Sequence, residues 1–279
     1  MIRLKSFTFS ICLVIALQIF TYSAFAQQAS IAITPASIEA TVKAGASYTQ
    51  HFTLANGTNE RVVFRCSAID MWLDDQNRRI NGRPGTLPRS ASLWVQFTPS
   101  EVVVEPHASS VIKATITIPP GATGSFYTVP VFEIAPANKP LISKIVDTDV
   151  STASIGIRFR GLMMLTTDQG SEYNVEIMGG QVLPPTAASE LTLSLDLRNR
   201  GSAHAKIRGA FAILDGSGRL AGRGNFEEKA LLPTQQNAIR GKWSGELKPG
   251  NYTGLATLSY NRVGLQPFSL VYEIPFTVK

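Results

Sequence analysis

From residue 30 onward, apolar and polar side chains alternate in short runs separated by clusters of Gly, Pro, Asn and Asp. In Val62-Val63-Phe64-Arg65-Cys66-Ser67-Ala68, Phe64, Cys66 and Ala68 share one parity. A period of two puts such a set on one face of a β-strand, whereas a helix would repeat every three or four residues. The same rule predicts strands over 30–34, 38–42, 48–55, 62–69, 93–98, 101–104, 110–118, 126–134 and 152–166. Further strands follow over 173–183, 191–199, 206–214, 239–243, 252–260 and 268–278. Lys43-Ala44-Gly45-Ala46, Asn56-Gly57, Pro119-Pro120-Gly121, Asp215-Gly216-Ser217-Gly218 and Lys248-Pro249-Gly250-Asn251 carry the residues that turns demand. Residues 70–90 contain Gly82, Pro84, Gly85 and Pro88 without apolar periodicity, so a long hairpin excursion or loop is expected there. Residues 227–232 are compatible with a single short helical turn.

This pattern predicts an all-β chain of two immunoglobulin-like β-sandwich domains in tandem, 27–168 and 169–279, joined at Thr167-Asp168-Gln169-Gly170-Ser171. The segment 1–26 reads as a signal peptide: Arg3 and Lys5, then a mostly apolar run over 11–20, then Ala24-Phe25-Ala26 as an A-x-A cleavage site. The apolar run is interrupted by Gln18 and is shorter than the roughly 20 residues of a spanning helix, so no integral membrane span is expected. The mature protein is then exported, to the periplasm or the cell surface. Losing Arg3 and Lys5 lowers the net charge from +6 to +4, and Arg78-Arg79 is the only adjacent basic pair near aromatics, so the footprint of a nucleic-acid binder is missing. Cys66 becomes the only cysteine, which leaves no intrachain disulfide and makes a buried core thiol the expected state. Trp72, Trp94 and Trp243 are expected to fill sandwich cores.

Catalytic and cofactor chemistry find little support. His51, His107 and His204 stand alone without i+4 partners or a Cys pair, so neither a metal site nor any cofactor is expected. There is no Gly-x-Ser-x-Gly. In 216–224 the third glycine of a dinucleotide fingerprint falls one residue late, which favours a Gly-rich hairpin turn. Asp74-Asp75-Gln76-Asn77 lacks the Gly and distal Glu of a calcium loop and reads as a surface turn. Glu227-Glu228 are adjacent rather than opposed. The expectation is a protein that is not an enzyme.

Ala40-Thr41-Val42-Lys43-Ala44-Gly45 precedes a strand ending at Asn56; Leu93-Trp94-Val95 and Val102-Val103-Val104-Glu105-Pro106 then precede residues 110–119. In these features the first half resembles the amino-terminal domain of periplasmic pilus chaperones. The second half carries Leu197-Arg198-Asn199-Arg200-Gly201, Leu232-Pro233, Gly241-Lys242-Trp243 and Leu247-Lys248-Pro249-Gly250-Asn251-Tyr252. It resembles the second domain of two-domain cell-surface proteins that bind WxL-type proteins. The chaperone resemblance implies that the last strand of the first domain offers alternating hydrophobic residues to an incomplete fibre subunit. Here that strand has Ala153, Ile155, Ile157 and Phe159 on one face and Ser154, Gly156, Arg158 and Arg160 on the other. The stripe either packs into its own domain or is offered to a partner. The family's basic pair, which anchors the partner's carboxylate, has one member in the first strand, yet residues 31–42 contain no Arg or Lys. Arg158 or Arg160 supplies the other member. The family's Arg-Pro after the strand is replaced by Leu162-Met163-Met164-Leu165-Thr166.

The expected function is thus an exported module that binds another exported or surface protein, such as a fibre subunit, in a chaperone-like or surface-assembly role. Ile155, Ile157, Arg158, Phe159 and Arg160 are the expected contact residues. The alternative is a cell-wall or glycan-binding surface protein with Trp72 and residues 74–88 as a stacking platform.

Overall fold

The computed structural model describes residues 31–74, 76–136, 157–186, 188–262 and 265–279. Residues 1–26, expected to form a signal peptide, and Ile155 and Asp75 lie outside the described residues. Nineteen strands are formed among those described, and the order begins β1 (Ile31–Thr34), β2 (Ser37–Val42), β3 (Ser47–Asn56), β4 (Val62–Leu73) and β5 (Arg79–Gly82). A 3-10 turn at Ser92–Trp94 leads into β6 (Val95–Thr98), followed by β7 (Glu101–Val104), β8 (Ala108–Thr117), β9 (Ser125–Pro136), β10 (Ile157–Arg160) and β11 (Leu162–Thr167). One sheet has the order β1-β3-β8-β6 and the facing one β2-β11-β9-β4-β5, with β10 on β9 and β7 on β4. The remaining strands are β12 (Val175–Leu183), β13 (Leu191–Asn199), β14 (Ala205–Asp215), β15 (Leu220–Asn225), β16 (Lys229–Leu231), β17 (Gln236–Trp243), β18 (Gly250–Arg262) and β19 (Leu265–Val278). They form the sheets β12-β13-β17 and β15-β14-β18-β19, with β16 on β14. No sheet mixes strands from the two halves, so the chain is a tandem of two β-sandwiches.

Each sandwich buries one parity of its strands. Phe52 and Leu54 from β3, Ile112 and Ile116 from β8, Phe64 from β4 and Phe132 from β9 meet in the first core, where the Phe52 and Phe132 rings lie edge to face at 5.1 Å. In the second, all four leucines of Leu191–Asn199 point inward and meet Phe211, Ile213 and Leu258. The two sandwiches share a device at a strand end. Asn56 closes β3 by donating through Nδ2 to the carbonyls of Glu60, Val104 and Glu105. Asn199 closes β13 by donating to those of Ala203 and Leu231, and both residues are fully buried. A buried amide with all of its capacity used holds a turn and a neighbouring strand together.

β9 is covered on both faces, which explains its near-continuous apolar sequence. Its even positions Phe132 and Ile134 enter the core, while Tyr127, Val129 and Val131 build an outer cluster with Met71, Met164 and Leu232. Leu232 comes from the second sandwich, so this outer layer lies at the junction of the two.

Three expectations are corrected. The continuous strand expected over 152–166 is two strands, among the described residues, broken at Gly161. The segment 227–232 forms strand β16 rather than a helical turn, because Lys229 to Leu231 pair with Ile207 to Ala205. The Gly-rich 216–224 stretch forms the expected hairpin turn but also enters an unexpected strand, β15, in which Gly222 lies under the Trp243 ring with no room for a Cβ. Residues 70–90 form the expected hairpin, with β4 and β5 pairing Asp70 to Gly82 and Leu73 to Arg79.

Candidate functional site

The candidate site is the outer edge of β10. The strand pairs antiparallel with β9, Ile157 opposite Ile134 and Arg160 opposite Val131. Two backbone bonds fix which way its peptide groups point. The Gly161 N–H donates to the Pro130 carbonyl on β9 at 2.9 Å, and the Leu162 N–H donates away from β9 to the Ala36 carbonyl at 3.0 Å. Because the direction alternates along a strand, the N–H and C=O groups of Arg158 and Arg160 face away from β9. On that side β2 runs parallel to β11 from Ser37 opposite Leu162. Upstream of Ser37 the chain crosses to the other sheet, where β1 pairs with β3. The lane beside β10 is therefore unfilled among the described residues.

The side chains of β10 divide between its two faces. Phe159 is half-buried against the first core, whereas Ile157, on the same face, is 52% exposed. Arg158 and Arg160 are exposed on the outer face, where an Arg158 guanidinium nitrogen lies 3.4 Å from Glu133. Of the five residues expected to act together, four are on this strand and the fifth, Ile155, lies outside the described residues. In the described part of the stripe, Phe159 packs inward and Ile157 is exposed to solvent.

Three other outer strands carry features that guard against pairing. Both members of the ion pairs Arg61–Glu105 and Arg65–Glu101 lie beside or on β7. β12 is bulged between Ile177 and Gly179, and β19 contains Pro267 and Pro275.

Arg79 was missed as a site residue because it lies in a segment without periodicity; its adjacency to Arg78 was the available signal. In the structure its Nη2 reaches 3.4 Å from the Gly161 carbonyl, at the break between β10 and β11. Burial, and then the nearby Arg160 charge, lower the guanidinium below its ordinary value. Neither Arg79 nor Arg160 is paired with a carboxylate among the described residues. The β4–β5 hairpin that carries Arg79 is held at both ends. At its tip, Asp74 accepts the N–H groups of Gln76 and Arg78 and pairs with the Arg78 guanidinium. At its base, the fully buried Asp70 accepts those of Gly85, Thr86 and Leu87 and the Ser90 hydroxyl. The tip also touches the second sandwich, where Asn77 Nδ2 donates to the Gln236 carbonyl at 3.1 Å.

The remaining candidates have structural occupations. The Trp72 ring packs edge-on against the buried Tyr127 at 5.7 Å, so the proposed stacking platform is committed to the outer cluster. Trp94 packs against Phe126 and Trp243 against the second core. Cys66 is buried, and burial pushes its thiol up to about 11. No group of three or more His, Cys, Asp and Glu side chains able to hold a metal ion exists among the described residues. No helix among them is long and apolar enough to cross a membrane.

No protein-family model matches the chain, and no curated protein matches it. Solved structures do. A chain of a chaperone–tip adhesin complex described as vital for synergistic activation of CFA/I fimbriae biogenesis is 14% identical, with a TM-score of 0.50 over 88% of this chain and 98% of that one. The class 5 fimbriae chaperone CfaA is also 14% identical, with a TM-score of 0.49 over the same shares. The chaperone of a CsuC–CsuE pre-assembly complex from Acinetobacter baumannii archaic pili, or its tip subunit, matches at 11% identity and a TM-score of 0.43, over 87% and 98%. At such identities the likeness establishes the fold: the chain resembles periplasmic pilus chaperones in its two-sandwich architecture. None of these bears on the likeness of the second half to WxL-binding surface proteins.

Proposed function

We propose that this protein is an exported, non-enzymatic, chaperone-like binder of a fibre subunit or another surface protein, and that the partner adds a strand to the outer edge of β10. The observation that carries this reading is the unfilled lane beside Arg158 and Arg160, whose outward backbone groups offer two donors and two acceptors next to the exposed Ile157. Strand addition draws affinity from main-chain bonds and specificity from alternate side chains. Ile157 would enter the partner's interior, while Arg158 and Arg160 stay on the opposite face.

Arg79 and Arg160 meet the one requirement that the sequence left open. The resemblance to pilus chaperones implies a basic pair that holds the partner's carboxylate, and residues 31–42 supply no member of it. The Arg79 guanidinium near the Gly161 carbonyl, and the Arg160 charge close enough to act on it, neither with a carboxylate partner among the described residues, fit that role from a different element. Guanidinium is well matched to a carboxylate because its donors form a planar fork.

The test uses mature protein as bait in the envelope fraction, beside an Ile157→Arg variant and an Arg160→Pro variant, each first found folded by circular dichroism. Proline at 160 removes an outward N–H without adding charge. A photo-crosslinker at position 157 identifies the neighbour. The expected result is one defined protein captured by the parent, crosslinked when the photo-crosslinker replaces Ile157 in the otherwise unchanged chain, and no longer captured by either substituted bait. Capture of the same protein by all three baits would refute the edge as the binding surface.

A further inference from the structure

The junction between the sandwiches has a polar centre that the partner-binding reading does not use. His204, which precedes β14 and is 5% exposed, projects from the second sandwich onto three adjacent strands of the first. Its backbone N–H donates to Ser125 Oγ on β9 at 2.9 Å, and its Nδ1 lies 3.0 Å from the same oxygen. Thr166 Oγ1 on β11 is 2.7 Å from Ser125 Oγ, and Nε2 faces Glu39 Oε1 on β2 at 2.9 Å. The second Glu39 oxygen is bonded to Lys206 Nζ, also from the second sandwich. The imidazole is thus held through Nε2 by the carboxylate and through Nδ1 by the Ser125 hydroxyl.

Among the described residues few other contacts join the two halves: the Asn77 amide donates to the Gln236 carbonyl at the hairpin tip, and the Tyr127 ring lies edge-on to His204. The Ser125 N–H donates to the Ser202 carbonyl, and the backbones come so close that a Cβ on Gly124 would lie 2.3 Å from that oxygen. Leu232 supplies the apolar part, against Tyr127 and Met164. Domains joined by a thin, polar contact move relative to one another by default.

We infer that Glu39 is a latch that ties the second sandwich to the first at neutral pH and releases it in acid. The groups facing the carboxylate are His204 and Lys206 from the second sandwich, with uncharged Ser125, Tyr127 and Thr166 from the strands behind the imidazole. The His204 hydrogen bond, helped by Lys206 and opposed by partial burial, holds the Glu39 carboxyl at about 2 instead of 4.5. The sign follows from the depression: latching is complete above about pH 4.5 and is lost as pH falls through about 2. A protonated Glu39 cannot accept from both donors. It also leaves the Lys206 cation beside the imidazole with no anion between them.

The test measures the distance between spin labels on Val111→Cys and Val271→Cys, exposed positions on β8 and β19. The buried Cys66 is replaced by Ala throughout. In the otherwise unchanged chain a single narrow distance is expected at pH 7, broadening between about pH 4.5 and 2. Glu39→Gln is expected to be broad already at pH 7 and unchanged across that window, while Leu232→Ala stays narrow at pH 7. A narrow Glu39→Gln distribution at pH 7, or broadening by Leu232→Ala alone, would overturn the latch. Because the decisive comparison is at neutral pH, with near-ultraviolet circular dichroism reporting intact sandwiches, acid unfolding cannot imitate the result. The readout needs no partner, so its failure is separate from failure of the strand-addition reading.

Discussion

Replacing Asp70 with Ala removes the anchor of the loop behind the β4–β5 hairpin. The carboxylate is fully buried and accepts the Thr86 and Leu87 N–H groups at 2.7 and 2.8 Å, the Gly85 N–H at 3.1 Å and the Ser90 hydroxyl. Hydrogen bonds to a charged acceptor contribute roughly 1.5–3 kcal/mol each. The backbone of 84–86 is exposed on its outer side, so part of what is lost is returned by water. Counting only the two shortest backbone bonds at the low end gives a loss of about 3 kcal/mol. For a chain of this size that corresponds to a fall in Tm of roughly 6–12 °C. Asp70→Asn should lose a similar amount, because one oxygen becomes an NH2 facing other donors. Burial alone would raise the carboxyl, but the bonds from Ser90, Leu87 and their neighbours outweigh it and hold Asp70 below its ordinary 3.8. Its contribution is therefore present above pH 3.8 and is lost as pH falls through the lower folded value. Urea unfolding of parent and both variants, at neutral pH and down to about pH 3, measures the gap. A gap below about 1 kcal/mol at neutral pH, or one that does not narrow in acid, would refute the reasoning.

Two further outcomes are expected. Asn199→Leu leaves the Ala203 and Leu231 carbonyls and the Gly201 N–H without their partner, and should lower stability by about 2–4 kcal/mol in denaturant unfolding. Cys66, with its thiol pushed up to about 11, should resist a thiol reagent at pH 8 in the native protein and react fully once denaturant is added.

The strands were legible because each sandwich strand writes its buried parity directly into the sequence. Residues 191–199 needed no correction at either end. β15 was hidden because Gly222 and Gly224 have no side chains to display an alternation, and they are glycine because Trp243 and Phe211 occupy the space. The break at Gly161 was invisible for another reason: the alternation of Ile157 to Arg160 and the continuous apolar run of Leu162 to Leu165 both read as strand, and only the arrival of Ala36 and β2 separates an open strand from a covered one. Ile157, Arg158, Phe159 and Arg160 were singled out by parity and by resemblance, and they share the strand β10. Arg79 was not, since its distance to Gly161 depends on how a hairpin of irregular sequence folds over a sheet. Glu39 is separated from His204 and Lys206 by about 165 positions along the chain, and no local pattern links it to them.

The crossing of the chain from β1 to β2 sets a length scale for any strand laid beside β10. Among the described residues the lane beside β10 is open alongside Arg158 and Arg160, but at Leu162 the protein's own Ala36 carbonyl already occupies it. A strand entering from the far end would meet that backbone end-on and could advance no further. Its register would then be read by a mechanical stop, like a ruler against a ledge, before any side chain was tested. Two peptides with the same side chains but different overhangs would be told apart by where they halt.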